Sequence, residues 1–327
     1  MAGSGSAHLR EGKAVLRVES IVKRYGVKRR GSVHALDDVS FDILAGETLG
    51  VVGESGCGKS TLARSILMLP PPTSGTVYFE SAPISELSPN ALLSVRPRLQ
   101  PIFQDPSSSP NPRHRILDIV AAPLHVNGIG RRESRRERAA AMLSAVGLDP
   151  DAIGTRFPHE LSGGQCQRVS IARALVLQPT LLICDEPVAS LDVSVQAQVV
   201  NLIEKMTRQF ALTVLFISHD LGVIKSISDR VLVMYLGKIC EVGPAAALFR
   251  RPRHPYTASL LDAIPSIEPA QRKEVALNIG EMPSPFDVPS GCRFHPRCPR
   301  ATHVCRKHEP NIRSDGEGTH FACHHPR

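Results

Sequence analysis

The sequence predicts an α/β fold built on a parallel sheet, and three observations carry that prediction. Helical and strand patterns alternate along the chain, as they do where helices cover the faces of a sheet. Residues 181–184 of "TLLICDEP" form a continuous apolar run, the pattern of a strand buried on both faces rather than on one. Residues 49–52 are a second apolar run, which passes through a glycine-rich turn directly into a helical pattern. The chain has 327 residues, 42% hydrophobic and 21% charged, enough apolar material for one large domain and an extension.

The first 13 residues, "MAGSGSAHLREGK", lack the apolar centre of a secretion signal and read as a flexible N-terminus. No apolar run approaches the roughly 20 residues needed to span a bilayer. The expectation is a cytosolic protein, soluble or peripheral. The net charge of +8 raises nucleic acid as a partner. The basic residues, however, gather in "VKRRG", in "RRESRRERAAAML" and near the C-terminus. The second of these reads as the solvated face of an amphipathic helix, with Ala, Met and Leu on its other face. With four Tyr and no Trp there are no interleaved aromatics to stack bases, so no nucleic acid is expected. A basic surface also suits an anionic membrane face.

The chemistry begins at "ETLGVVGESGCGKSTLARSIL", which holds GxxxxGK[ST] in its strand–loop–helix context. Gly53, Gly56 and Gly58 let the backbone turn tightly, so that N–H groups from Ser55 and Cys57 onward point at phosphate oxygens. The helix N-terminus at Ser60 and Thr61 adds its positive end. Lys59 supplies a cation for the β and γ phosphates of ATP, and the Ser60 hydroxyl can bind Mg²⁺. The strand in "TLLICDEP" ends on Asp185 and Glu186, at the C-terminal edge where doubly wound sheets place ligands. Asp185 is the expected Mg²⁺ partner, and Glu186 a general base for an attacking water. Together these define a P-loop NTPase.

"LSGGQCQRVSIARALVLQP" lies between those two stretches. Ser162, Gly163, Gly164 and Gln165 open a helix with bare backbone donors suited to another phosphate; a helix start capped by its own serine is the plainer account. On these residues the chain resembles the ABC ATPases, the ATP-binding subunits of ABC transporters. The resemblance implies an adenine-stacking role for Tyr25 and a Mg²⁺-sensing Q-loop at Gln104. It further implies a D-loop at residues 190–192 and a switch histidine at His219. It implies a RecA-like core, an antiparallel β-subdomain and a helical subdomain over about 96–165. A head-to-tail dimer follows, in which the LSGGQ of one subunit completes the ATP site of the other.

"FQDPSSSPNPR", "RRPRHPYTASLLDAIP" and the cysteine-rich end narrow the resemblance to the dipeptide/oligopeptide/nickel importer group. This implies an ATPase motor that moves di- or oligopeptides, with nickel or another small solute as the alternative. A non-transport ABC ATPase would carry two cassettes or a long coiled coil. The implied partners are a second, non-identical ATPase, two integral-membrane permease subunits and an extracytoplasmic solute-binding protein, at the cytoplasmic face of the membrane. The ATPase domain is expected over 14–250 and an extension over 251–327. Cys166 after LSGGQ and "ASLD" in the D-loop depart from the group's usual Arg and "SALD" without removing a phosphate or Mg²⁺ ligand.

The extension holds Cys292, Cys298, Cys305 and Cys323, spaced C-x5-C-x6-C-x17-C. In a reducing compartment such a set reads as metal-binding rather than disulfide-bonded. The four thiolates could hold Zn²⁺ or a [4Fe–4S] cluster, and His295, His303, His324 and His325 could substitute as zinc ligands. The resemblance implies the iron–sulfur cluster, in a structural role, with a segment of low apolar content owing its fold to that centre.

Overall fold

The computed structural model describes residues 8–27, 31–105, 111–263 and 280–327. The chain forms two compact units, one made of the residues up to 86 with those from 217 onward, the other of residues 87–216.

The first unit opens with β1 (Ala14–Val27), β2 (Gly31–Leu44) and β3 (Thr48–Val52), followed by β4 (Ser74–Phe79) and β5 (Ala82–Pro83). The order β2-β1-β4-β5 is an antiparallel sheet, as the resemblance implies. Leu16, Val18 and Ile21 of β1 are fully buried while Arg17 and Glu19 pair with each other across the other face. Residues 1–7 of the segment read as flexible lie outside the described residues. In the remainder, Arg10 is held by the carboxylates of Asp42 and Glu47.

In the second unit β6 (Leu99–Ile102) runs parallel to β7 (Leu181–Asp185), with Leu99 opposite Leu181 and Ile102 opposite Cys184. All five residues of β7 are buried, as its unbroken apolar pattern requires, and Cys184 serves as a core residue. Between these strands lie the helices Ile116–Val126, Arg132–Ala145 and Gly163–Leu175. The arginine-rich helix buries Ala139, Met142 and Leu143, so its basic face is the solvated one. β8 (Thr213–Ile217) ends where the chain returns to the first unit.

There β9 (Arg230–Tyr235) pairs in parallel with β3 and folds back through a two-residue turn onto β10 (Lys238–Pro244). The C-terminal segment adds β11 (Arg313–Ser314) and β12 (His320–Phe321), and β12 pairs antiparallel with β10. The segment is thus part of the sheet. It also has apolar anchors that a metal-built tail would not need: Tyr256, Phe294, Ile312 and Phe321 are all buried. Tyr235, Tyr256 and Phe294 pack ring on ring, with centroids 4.7 to 5.3 Å apart.

One carboxylate fixes how this segment leaves the sheet. Glu241 of β10 is fully buried and accepts the backbone N–H of Arg253 at 2.8 Å and of His254 at 2.9 Å. Those donors precede the helix Pro255–Asp262, which His254 caps through Nδ1. Removing the carboxylate strands one buried donor, at His254, and one part-buried donor, at Arg253, at about 1–3 kcal/mol for the buried one. Glu241→Ala should therefore lower the unfolding free energy by about 2 kcal/mol or more in urea titrations. An unchanged midpoint would show that the segment docks without this carboxylate.

Candidate functional site

β3 delivers the chain into the turn 53–58, and the helix Lys59–Ile66 follows. Gly58 is the helix N-cap at φ +110°, and a Cβ there would lie 2.5 Å from the carbonyl oxygen of Ala35 on β2. At Gly53 a Cβ would lie 2.2 Å from the carbonyl of Met234 on β9. The turn is therefore pressed against neighbouring backbone at both ends, and glycine is a steric requirement at both. Gly237, in the β9–β10 turn, donates its N–H to the carbonyl of Cys57 at 2.7 Å. The Cys57 thiol faces inward, and burial pushes its pKa up to about 11.

Lys59 arches back over the turn it follows. Its Nζ donates to the carbonyls of Gly53 at 2.7 Å and Glu54 at 3.1 Å, and the residue is buried. Ser60 and Thr61 stand in the first helical turn behind it. His219 is exposed on the short connection after β8; the N–H of its neighbour Ser218 donates to Val51 of β3 at 3.1 Å. Asp220 caps the next helix through the N–H groups of Gly222 and Val223. Tyr25 lies on β1, half-buried, with the Lys23 ammonium 5.2 Å from its ring centre.

In the second unit Asp185 is buried at the end of β7, and Glu186 next to it is half-buried. Glu186 has φ +50°, a left-handed conformation uncommon for this residue type and typical of strained functional positions. Gln104 is exposed just after β6, and its carbonyl accepts the Ser190 hydroxyl at 3.4 Å. Part of the stretch after Gln104, residues 106–110, lies outside the described residues.

Ser162, Gly163, Gly164 and Gln165 form a reciprocal cap. The Ser162 hydroxyl accepts the Gln165 N–H at 3.3 Å, and the Gln165 side-chain oxygen accepts the Ser162 N–H at 3.0 Å. A Cβ on Gly164 would reach Val195 at 2.7 Å, so this helix packs too closely on Val193–Phe210 for a side chain there. Cys166 is buried, its thiol 3.4 Å from the Pro158 carbonyl.

In the first unit the four C-terminal cysteines converge. Cys292, Cys298, Cys305 and Cys323 line one cavity of about 10 Å³, room for a single water-sized sphere. The N–H of Cys292 donates to the carbonyl of Cys305 at 2.8 Å. Burial and the neighbouring thiols push Cys292 up to about 12 and Cys323 to about 11. His254 lines the same cavity, and its burial lowers its pKa to about 4. His295, His324 and His325 also line it, each with one ring nitrogen engaged elsewhere, whereas His303 is not among the lining residues. Among the described residues no group of three or more His, Cys, Asp or Glu has the arrangement to hold a metal ion.

A buried parallel strand, a turn whose two end glycines admit no side chain and a lysine folded across it define a P-loop nucleoside triphosphatase. The ABC transporter family matches residues 36–189, and the oligopeptide/dipeptide transporter C-terminal region matches residues 240–305. A putative peptide import ATP-binding protein of Brucella ovis is 48% identical, the alignment covering 94% of this chain and 97% of that one. The di/tripeptide transport ATP-binding protein DppF of Pseudomonas aeruginosa is 45% identical, over 96% and 98% of the two chains. Among solved structures, the ATP-binding cassette MJ0796 bound to ADP and Pi superposes with TM-score 0.65 and 29% identity, covering 70% of this chain and 98% of that one. This chain belongs to the ATP-binding proteins of ABC transporters, enzymes that hydrolyse ATP with Mg²⁺.

What holds the turn 53–58 was not legible in the sequence: Tyr256 and Arg297, from the C-terminal segment, both bond to Glu54. The only signal was "HPYTASLL" itself, which marks the segment without revealing its target. The steric demand at Gly58 yields a direct expectation. Gly58→Ala forces φ +110° on an L-residue and a contact with Ala35, strain of about 1–3 kcal/mol. MgATP affinity, measured by titration calorimetry, should fall roughly tenfold or more. Wild-type affinity would mean that the loop can relax without loss.

Proposed function

We propose that this chain is the ATP-hydrolysing subunit of an importer of di- or oligopeptides, working peripherally at the cytoplasmic face of the cell membrane. The observation that carries the reading is the union, on one fold, of the phosphate loop with the oligopeptide/dipeptide C-terminal region. Similarity to a peptide import ATP-binding protein runs through 94% of the chain and so includes both parts. Permease subunits carry the peptide path, and an extracytoplasmic solute-binding protein supplies the cargo. One phosphate loop and one LSGGQ per chain call for a second cassette as the other half of the ATPase pair, and "NPR" at residues 111–113 resembles subunits paired with a non-identical one.

Each unit contributes residues suited to phosphoryl transfer. In the first, backbone N–H groups of the turn hold phosphate oxygens, and Lys59 exchanges its loop carbonyls for the β and γ phosphates. Tyr25 stacks on the adenine, and His219 steadies the γ-phosphate. In the second, Glu186 takes a proton from water as the water oxygen bonds to the γ-phosphorus and the bond to ADP breaks. The strained backbone at Glu186 supports that role. The LSGGQ helix start offers N–H donors to a nucleotide held by the partner cassette. Ser60, Gln104 and Asp185 have the donor chemistry for Mg²⁺, which when bound neutralises charge on the phosphates. Glu186→Gln should keep ATP binding and slow hydrolysis by about two to four orders of magnitude, assayed with the partner subunits. Near-normal turnover would remove Glu186 from the role.

We assign a [4Fe–4S] cluster to Cys292, Cys298, Cys305 and Cys323, with Zn²⁺ as the alternative. The support for the reading is the donor chemistry: four thiols line one cavity, the ligand set that both centres use. Protein purified anaerobically should be brown, absorb near about 400 nm, and lose that band in Cys298→Ser. Colourless protein with one equivalent of zinc would overturn the cluster and keep the ligands.

A further inference from the structure

The phosphate loop is gripped from outside at one residue. Glu54, the second residue of the turn, donates its N–H to the Tyr256 hydroxyl at 2.9 Å. Its carboxylate accepts from Nη1 of Arg297, 3.0 Å from each oxygen. The same residue's carbonyl accepts from Lys59 Nζ at 3.1 Å. Three consecutive links therefore run from the C-terminal segment through Glu54 to the phosphate-binding lysine.

Both outer partners are rigidly held. Tyr256 is 1% exposed, locked ring to ring against Tyr235 and Phe294, and its helix is anchored by Glu241. Arg297 lies between Cys292 and Cys298; its N–H donates to Phe294 at 3.0 Å, and its guanidinium lies over Tyr235 and Phe294. The arginine side chain is 10% exposed and Glu54 30%, so the pair is shielded from solvent more than a surface ion pair.

We propose that Tyr256 and Arg297 are positioning residues for the phosphate loop, through which the C-terminal segment sets nucleotide affinity. Holding Glu54 from both its N–H and its carboxylate fixes the turn in one conformation before nucleotide arrives, and preorganisation of this kind raises affinity by removing an ordering cost. A brace that only stabilised the segment would need no contact with this residue. The proposal rests on the reading that the loop binds ATP.

The test is equilibrium binding of MgATP and MgADP to the full chain by calorimetry. Arg297→Ala and Glu54→Gln should each raise Kd about tenfold, and the double variant should be no worse than either single one. Arg297→Lys should restore affinity to within about twofold, because the contact uses one nitrogen rather than the guanidinium fork. Tyr256→Phe, which keeps the packing and loses the hydroxyl, should weaken binding without a matching fall in melting temperature; it serves as the readout should Arg297→Ala fail to fold. Additive losses, or affinities within about twofold of wild type, would overturn the proposal. Lys59→Ala, run alongside, separates the two readings. If it too keeps its affinity, the phosphate-loop reading falls along with the proposal; if it alone loses binding, only the positioning role falls.

Discussion

The structure depends on backbone lying against backbone around the turn 53–58. A Cβ at Gly58 would strike the Ala35 carbonyl, one at Gly53 the Met234 carbonyl, and one at Gly237 the Ala35 carbonyl again. Three separate stretches, from β2, from the P-loop and from the β9–β10 turn, thus meet with no side chain between them. That packing leaves the loop little freedom, and the hydrogen bond from Gly237 to Cys57 seals it. A loop that must present its N–H groups to a polyanion gains from this constraint, because donors fixed in advance need no reorganisation.

Several basic residues of the first unit are paired with carboxylates. Arg10 and Arg230 flank the fully buried Asp42 and the nearly buried Glu47, with Arg230 3.1 Å from Glu47. Arg293 and Lys238 both pair with Asp37, and Arg253 pairs with Asp315 at 3.1 Å. Each of these pairs ties a distant stretch of chain to the sheet. Where a charge is buried, losing its partner costs far more than the pair itself contributes, so such residues specify the arrangement as much as they stabilise it. The arginines of the helix Arg132–Ala145 lie on its solvated face.

The C-terminal segment joins these two themes. It enters the sheet through β12, anchors on Glu241, and packs Tyr256 and Phe294 against Tyr235. Its cysteines line a cavity with Phe294, and Arg297, between Cys292 and Cys298 in the chain, reaches Glu54. The segment is thus secured by apolar and hydrogen-bonded contacts of its own. The few apolar residues it has are spent at the points of attachment.

Local pattern was enough for the elements. An unbroken apolar run made β7 a buried parallel strand, GxxxxGKS made a phosphate turn after β3, and Ser162 followed by glycines made a helix start, because each depends on neighbours within a few residues. The order of these motifs was likewise enough to name the family. What the sequence could not disclose were contacts between distant residues and conformations imposed by packing. Glu54 and Arg297 are 243 positions apart, and nothing in either neighbourhood names the other. The left-handed Glu186 and the seating of four cysteines around one cavity are decided by how the surrounding chain closes. Local propensity is written in adjacent residues, whereas those features arise only when the sheet brings distant stretches together and excludes water between them.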